Sequence, residues 1–227
     1  MARMASTAAP VLDAHRLRED FPVFDELVDG KPVAFLDSAA STQKPRQVLD
    51  RMRAFYEHEY ANVHRGVYRL AERATEGYEG ARRTVASFLN APSEKEIVFT
   101  RSATEAINLV AYAWGSANVR AGDLLVITEM EHHSNLVPWH MLAERTGAEL
   151  AYVGIDDEGL IIEEELAALL ARGPKLLAFP HVSNVLGTIN PVAELVERGH
   201  AAGATVLVDG AQSVPHMPVA SADRLEY

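Results

Sequence analysis

The sequence predicts an α/β protein built on a mostly parallel sheet with helices on both faces. From Glu96 onward, short apolar runs alternate with longer segments of helical periodicity, which is the pattern of repeated βαβ units. The runs themselves, such as Thr205-Val206-Leu207-Val208-Asp209, are rich in β-branched residues and lack polar alternation, as expected of strands buried on both faces. With 48% of its 227 residues hydrophobic, the chain can also bury a core of that size.

Met1 to Pro10 reads as a small, polar leader, and Val11 to Asp20 as an amphipathic helix that stops at Phe21-Pro22. Asp29-Gly30-Lys31 marks a turn ahead of a short strand, Pro32 to Asp37, which leads into the small-residue loop Ser38-Ala39-Ala40. Two helices are predicted next, Pro45 to about Glu59 and about Gly66 to Leu89. Their connector, Tyr60-Ala61-Asn62-Val63-His64-Arg65-Gly66, gathers Asn, His and Arg, as either a solvated link or a piece of a site.

Strands are then expected at Ile97–Thr100, Leu124–Thr128, Glu149–Val153, Leu176–Pro180 and Thr205–Asp209. After Thr104, Ile107, Val110, Ala111 and Trp114 recur at the spacing of a core-facing helix that ends near Gly115. Further helices are bounded by their own stop signals: Leu136 to Thr146 by Gly147, Glu163 to Arg172 by Gly173-Pro174, and Pro191 to Ala202 by Gly203. The organisation expected is an N-terminal segment 1–32, a large domain 33–218 and a tail 219–227, without internal repeats.

Composition narrows the function classes. Against 21 Lys plus Arg stand 32 Asp plus Glu, and the net charge of −11 argues against nucleic acid or an anionic membrane as partner. No apolar run approaches the roughly 18–20 residues of a membrane-spanning helix, and Met1 to Pro10 lacks a signal-peptide core, so the cytoplasm is the expected compartment. Cysteine is absent, which removes disulfides and thiolate metal sites.

The candidate chemistry sits where the strands end. Asp209 closes an apolar strand just ahead of Gly210, placed either to cap a helix or to meet a cation such as a pyridinium nitrogen. Arg101-Ser102-Ala103-Thr104-Glu105 opens a helix with free N–H groups and two hydroxyls, which suits a phosphate and equally suits ordinary capping. Glu129-Met130-Glu131-His132-His133-Ser134-Asn135 offers an imidazole for stacking on a flat ring. Zinc is the poorer reading there, because adjacent histidines face different ways and no His-Glu-x-x-His spacing occurs. His181 to Gly187 offers the Asn184 amide, and Gln212 follows Asp209. Four strand ends of one sheet carrying such groups converge on a single ligand.

These pieces resemble cysteine desulfurases of the SufS type, in the aminotransferase class V group of fold-type I pyridoxal phosphate enzymes. The resemblance runs from about Leu17 to Pro218. It rests on Phe35-Leu36-Asp37-Ser38-Ala39-Ala40, Asn62-Val63-His64-Arg65-Gly66, Thr100 to Asn108, Glu131 to Trp139, His181 to Gly187 and Val208-Asp209-Gly210-Ala211-Gln212. It implies that 33–218 is a pyridoxal 5'-phosphate-binding large domain, incomplete here. Ala103 and Thr104 would hold the phosphate, His132 would stack on the ring as the catalytic histidine, Asp209 would pair with the ring nitrogen, and Asn184 and Gln212 would lie near the phenolic oxygen. His64 and Arg65 would lie near the substrate entrance and the interface of a homodimer.

The implied reaction turns L-cysteine into L-alanine and passes sulfur to an acceptor of the SufE or SufU kind for iron-sulfur cluster assembly. Selenocysteine lyase and kynureninase-like lyase are same-scaffold alternatives, and a non-catalytic fragment is the alternative of another class. Three family features are missing from these residues, one being the arginine that holds the substrate carboxylate, which lies further on in the family. The lysine that binds the cofactor follows the Asp by some two dozen residues in the family, whereas the last lysine here is Lys175; the cysteine that accepts sulfur is absent altogether. The chain therefore reads as a truncated enzyme, inactive alone, whose tail after Pro218 departs from the family.

Overall fold

The structure, a computed structural model, describes residues 12–219; the predicted leader and nearly all of the divergent tail lie outside the described residues. The chain divides into two compact units between Glu79 and Gly80.

The first unit opens with α1 (Ala14–Arg18), capped by the Asp13 carboxylate on the Arg16 N–H. A two-residue hairpin follows, β1 (Leu27–Val28) against β2 (Lys31–Pro32). Its turn residues Asp29 and Gly30 have φ of 52° and 73°, so both occupy the left-handed region that an Asp-Gly pair tolerates. The strand expected over Pro32–Asp37 is corrected by this hairpin. Pairing stops at Pro32, which lacks an N–H to continue a ladder, and Leu36 beyond it is 96% exposed. The helices α2 (Arg46–His58) and α3 (Arg69–Phe88) fall where periodicity placed them.

In the second unit, α4 (Ala103–Val110) continues through a wider π turn, Ala111–Gly115, into α5 (Ser116–Asn118). Four parallel strands follow with their helices: β3 (Leu124–Thr128), α6 (Val137–Thr146), β4 (Glu149–Val153), α7 (Glu163–Leu170), β5 (Leu176–Pro180), α8 (Val192–Ala201) and β6 (Thr205–Asp209). Helix ends obey the glycine signals, with φ of 77° at Gly147, 69° at Gly173 and 82° at Gly203.

The sheet order is β4-β3-β5-β6, with Leu125 beside Leu176 and Pro180 beside Asp209 in register. Alternate residues of each strand feed opposite layers. Leu124, Val126, Leu177, Phe179, Val206 and Val208 pack with α7 and α8, whereas Leu125, Ile127, Leu176 and Ala178 pack with α4 and α6 around Trp139 and Leu142. Helices thus cover both faces, as the apolar runs required.

The predicted strand Ile97–Thr100 is the second correction. The segment is extended at Ile97 (φ −90°, ψ 118°) but joins no sheet among the described residues, and Val98 is 66% exposed. An apolar run becomes a strand only when a neighbour takes its N–H and C=O groups.

Candidate functional site

Strand order fixes where a ligand can sit. β3 is followed by β4 on one side of it, and β5 by β6 on the other, so the chain diverges above β3 and β5 and leaves a crevice at their carboxyl ends. Thr128, Pro180 and Asp209 end the three strands around that point.

Asp209 is 9% exposed, a carboxylate at the rim of an apolar layer. Its Oδ1 accepts from the Ala211 N–H at 2.9 Å, bending the chain after β6. A carboxylate nearly buried at the rim of an apolar layer fits a cationic donor. Asp209 also lines a cleft of about 230 Å³ along the outer edge of β6, facing Ala103, Ala106, Ile107 and Val110 of α4.

Across the cleft, Ser102 caps α4 by accepting from the Glu105 N–H, and Glu105 in turn accepts from the Arg101 N–H and pairs with its guanidinium. Capping chemistry is therefore present, as one of the two sequence readings required. It uses the Glu105 N–H and leaves the Ala103 and Thr104 N–H groups, which no intrahelical carbonyl can reach, available to an anion.

After β3 the chain makes a one-turn 3-10 helix, His133–Asn135, capped by His132. His132 Nδ1 accepts from the Ser134 N–H at 3.1 Å and lies 2.8 Å from the Ser134 hydroxyl, which holds the exposed ring in one orientation. A set of buried partners beneath it was not singled out from the sequence. The Thr128 hydroxyl lies 2.6 Å from Glu131 Oε1, Asn135 donates to Glu131 Oε2 at 2.7 Å, and the Trp139 indole donates to Asn135 at 2.9 Å. Burial, with the charge of Asp209 adding to it, pushes the Glu131 carboxyl up to about 8 against the opposing bonds from Thr128 and Asn135.

After β5, His181 donates its N–H to the Asp209 carbonyl and accepts from the Asn190 N–H, closing a loop whose inner bridge joins Val182 and Ile189. The buried Asn190 amide donates to the Pro180 carbonyl at 2.6 Å and contacts the Met130 sulfur at 3.2 Å, tying this loop to the one after β3. Burial also holds the His181 imidazole below its usual value. At the tip, Asn184 is exposed.

Ala103 and Asp209 thus line one cleft; Thr104, His132, Asn184 and Gln212 lie outside its lining. His64 and Arg65 belong to the first unit, where His64 adopts a φ of 67° and is held by Thr75 on its N–H and by Glu79 on its ring at 2.7 Å. Periodicity could not find Asn135 or Asn190, whose signal is a buried polar side chain and not a spacing, nor Glu131, half-buried against Asn135. No group of three potential metal ligands occurs among the described residues.

Residues 34–223 match the aminotransferase class-V family. A cysteine desulfurase from Enterobacter sp. strain 638 is 55% identical over 88% of this chain, and one from Escherichia coli K12 is 52% identical over 92%. The solved apo structure of a cysteine desulfurase from Thermococcus onnurineus NA1 superposes with a TM-score of 0.83 at 40% identity, covering 96% of this chain. The chain spans about half the length of each, 50%, 52% and 51% respectively.

Proposed function

The chain belongs to the aminotransferase class V family, and from that membership we propose that it forms the cofactor-cradling part of a cysteine desulfurase of the SufS type, with pyridoxal 5'-phosphate beside Asp209. The observation that carries the cofactor is Asp209 itself: nearly buried, one oxygen committed to Ala211, at a cleft shared with Ala103. When bound, the pyridoxal ring supplies a sink for electrons released at the substrate α-carbon.

The chain's own residues serve that chemistry by position. Asp209 holds a proton on the ring nitrogen through its negative charge. The Ala103 and Thr104 N–H groups bind phosphate at the positive end of α4. His132, its Nδ1 fixed by Ser134, offers a ring face for stacking. Asn184 and Gln212 supply amides toward the phenolic oxygen, and His64 and Arg65 serve substrate entry or a homodimer interface.

Four lysines are present, and none stands some two dozen residues after Asp209, where the resemblance puts the covalent anchor. Lys175 precedes β5, at the end of the sheet opposite Asp209, and Lys31, Lys44 and Lys95 precede the strand ends altogether. The anchoring lysine and the sulfur-accepting cysteine therefore come from outside these 227 residues. The proposed reaction of the whole protein converts L-cysteine to L-alanine and passes sulfur to a SufE- or SufU-like acceptor.

The test is direct. The polypeptide carried to the length of its relatives and supplied with pyridoxal 5'-phosphate should release alanine from L-cysteine, and Asp209→Ala should cut that turnover by orders of magnitude. Residues 1–227 alone should release none. Near-normal turnover in the long Asp209→Ala variant would overturn the role given to Asp209.

A further inference from the structure

The polar groups beneath His132 form a chain with a direction. An indole N–H can only donate, so Trp139 obliges the Asn135 amide oxygen to accept. The Asn135 NH2 must then donate, and Glu131 Oε2 accepts it. Only the last link is free to run either way: Oε1 and the Thr128 hydroxyl, 2.6 Å apart, share one hydrogen that either oxygen can supply. Thr128, Asn135 and Trp139 are 1%, 0% and 0% exposed, so the carboxyl is set against a dry layer in which a charge is costly. The charge of Asp209 adds to that cost.

We propose that Glu131 is a positioning residue held as an uncharged acid, donating to Thr128 and accepting from Asn135, so that it pins the turn carrying His132 and leaves Asp209 as the charged carboxylate of the site. The pinning follows from the chain itself. Glu131 ties the end of β3 to Asn135, and His132 and Ser134, which fix the imidazole, lie between those two anchors. The benefit to a cationic ring rests on the cofactor reading; the proton on Glu131 does not.

The titratable groups on the elements around Glu131 are Asp209 on β6, Glu129, His132 and His133 on its own loop, His181 after β5, and Arg101 with Glu105 at the start of α4, which pair with each other. Of these, Asp209 is the one whose charge raises Glu131. Glu131→Gln is the informative substitution, because its amide oxygen can accept from Asn135 while its NH2 donates to Thr128, copying the acid in both links.

Infrared spectra of the 227-residue chain carrying isotopically labelled glutamate give the readout, with no cofactor present. The account expects the carbonyl band of a protonated glutamate at pH 7, lost as pH rises with a midpoint near 8, and absent from Glu131→Gln. In Asp209→Asn the midpoint should move to lower pH. The His132 ring resonance should show a step at the wild-type midpoint that Glu131→Gln abolishes while its pH 7 position is kept. A spectrum without that band at pH 7, a band that survives Glu131→Gln, or a midpoint indifferent to Asp209→Asn would each overturn the proposal. Failure of pyridoxal phosphate to bind beside Asp209 is a separate measurement and leaves these outcomes readable.

Discussion

A single buried carboxyl gives this chain a pH dependence with a definite sign. Glu131 is raised from 4.5 to about 8 in the fold, so its protonated form is the one that folding favours. Its contribution is fully present below about 4.5, falls as the unfolded chain ionises, and is lost once pH passes about 8. A shift of that size corresponds to a few kcal/mol across the interval. Glu163, lowered by its bond with Arg198, acts oppositely and below this range: its contribution holds above the unfolded value and is lost as pH falls. Denaturant unfolding of wild type and Glu131→Gln, compared from pH 4.5 to 9, should cancel such common terms. The wild type should lose stability relative to the variant between about pH 4.5 and 8; parallel curves would show that Glu131 ionises like a surface acid.

Elements carry two further expectations. Gly199 lets α8 approach the sheet, since a Cβ there would stand 2.6 Å from Val206 Cγ2 and 3.2 Å from Leu177 Cδ2. Both neighbours are buried, so Gly199→Ala should destabilise by roughly 1–3 kcal/mol, read as a lower denaturant midpoint with unchanged slope. Asn190→Ala removes the buried donor to the Pro180 carbonyl and should cost about 1–3 kcal/mol. The same elements show what a sequence discloses. β3 and β5 were legible because burial on both faces writes an uninterrupted apolar run, and the helices between the strands because Gly147, Gly173 and Gly203 end them. Ile97–Thr100 carries the same run, yet a strand is a relation between two segments and none among the described residues pairs with it. In the site, Asp209 could be seen because it ends a strand, and the α4 N-terminus because Ser102, Thr104 and Glu105 are residues that open helices. Glu131 and Asn135 stood inside a motif read for its imidazole, and only their burial reveals that they hold the imidazole in place.

At the scale of the molecule, the chain presents Val98 and Phe99 exposed on an extended segment, and β6 as an edge of the sheet that no further strand pairs with among the described residues. Both are templates for pairing with another copy, so light scattering of residues 1–227 should show concentration-dependent association that the long polypeptide lacks. The central claim, however, is that the strand ends of this sheet hold pyridoxal 5'-phosphate with Asp209 on its ring nitrogen. The measurement that meets it most directly is a crystal structure of the polypeptide carried to the length of its relatives and supplied with that cofactor. The account predicts the ring nitrogen within hydrogen-bond distance of Asp209, the phosphate on the Ala103 and Thr104 N–H groups and the His132 ring against the pyridine face. A cofactor bound with its ring nitrogen away from Asp209, or its phosphate away from the start of α4, would contradict it.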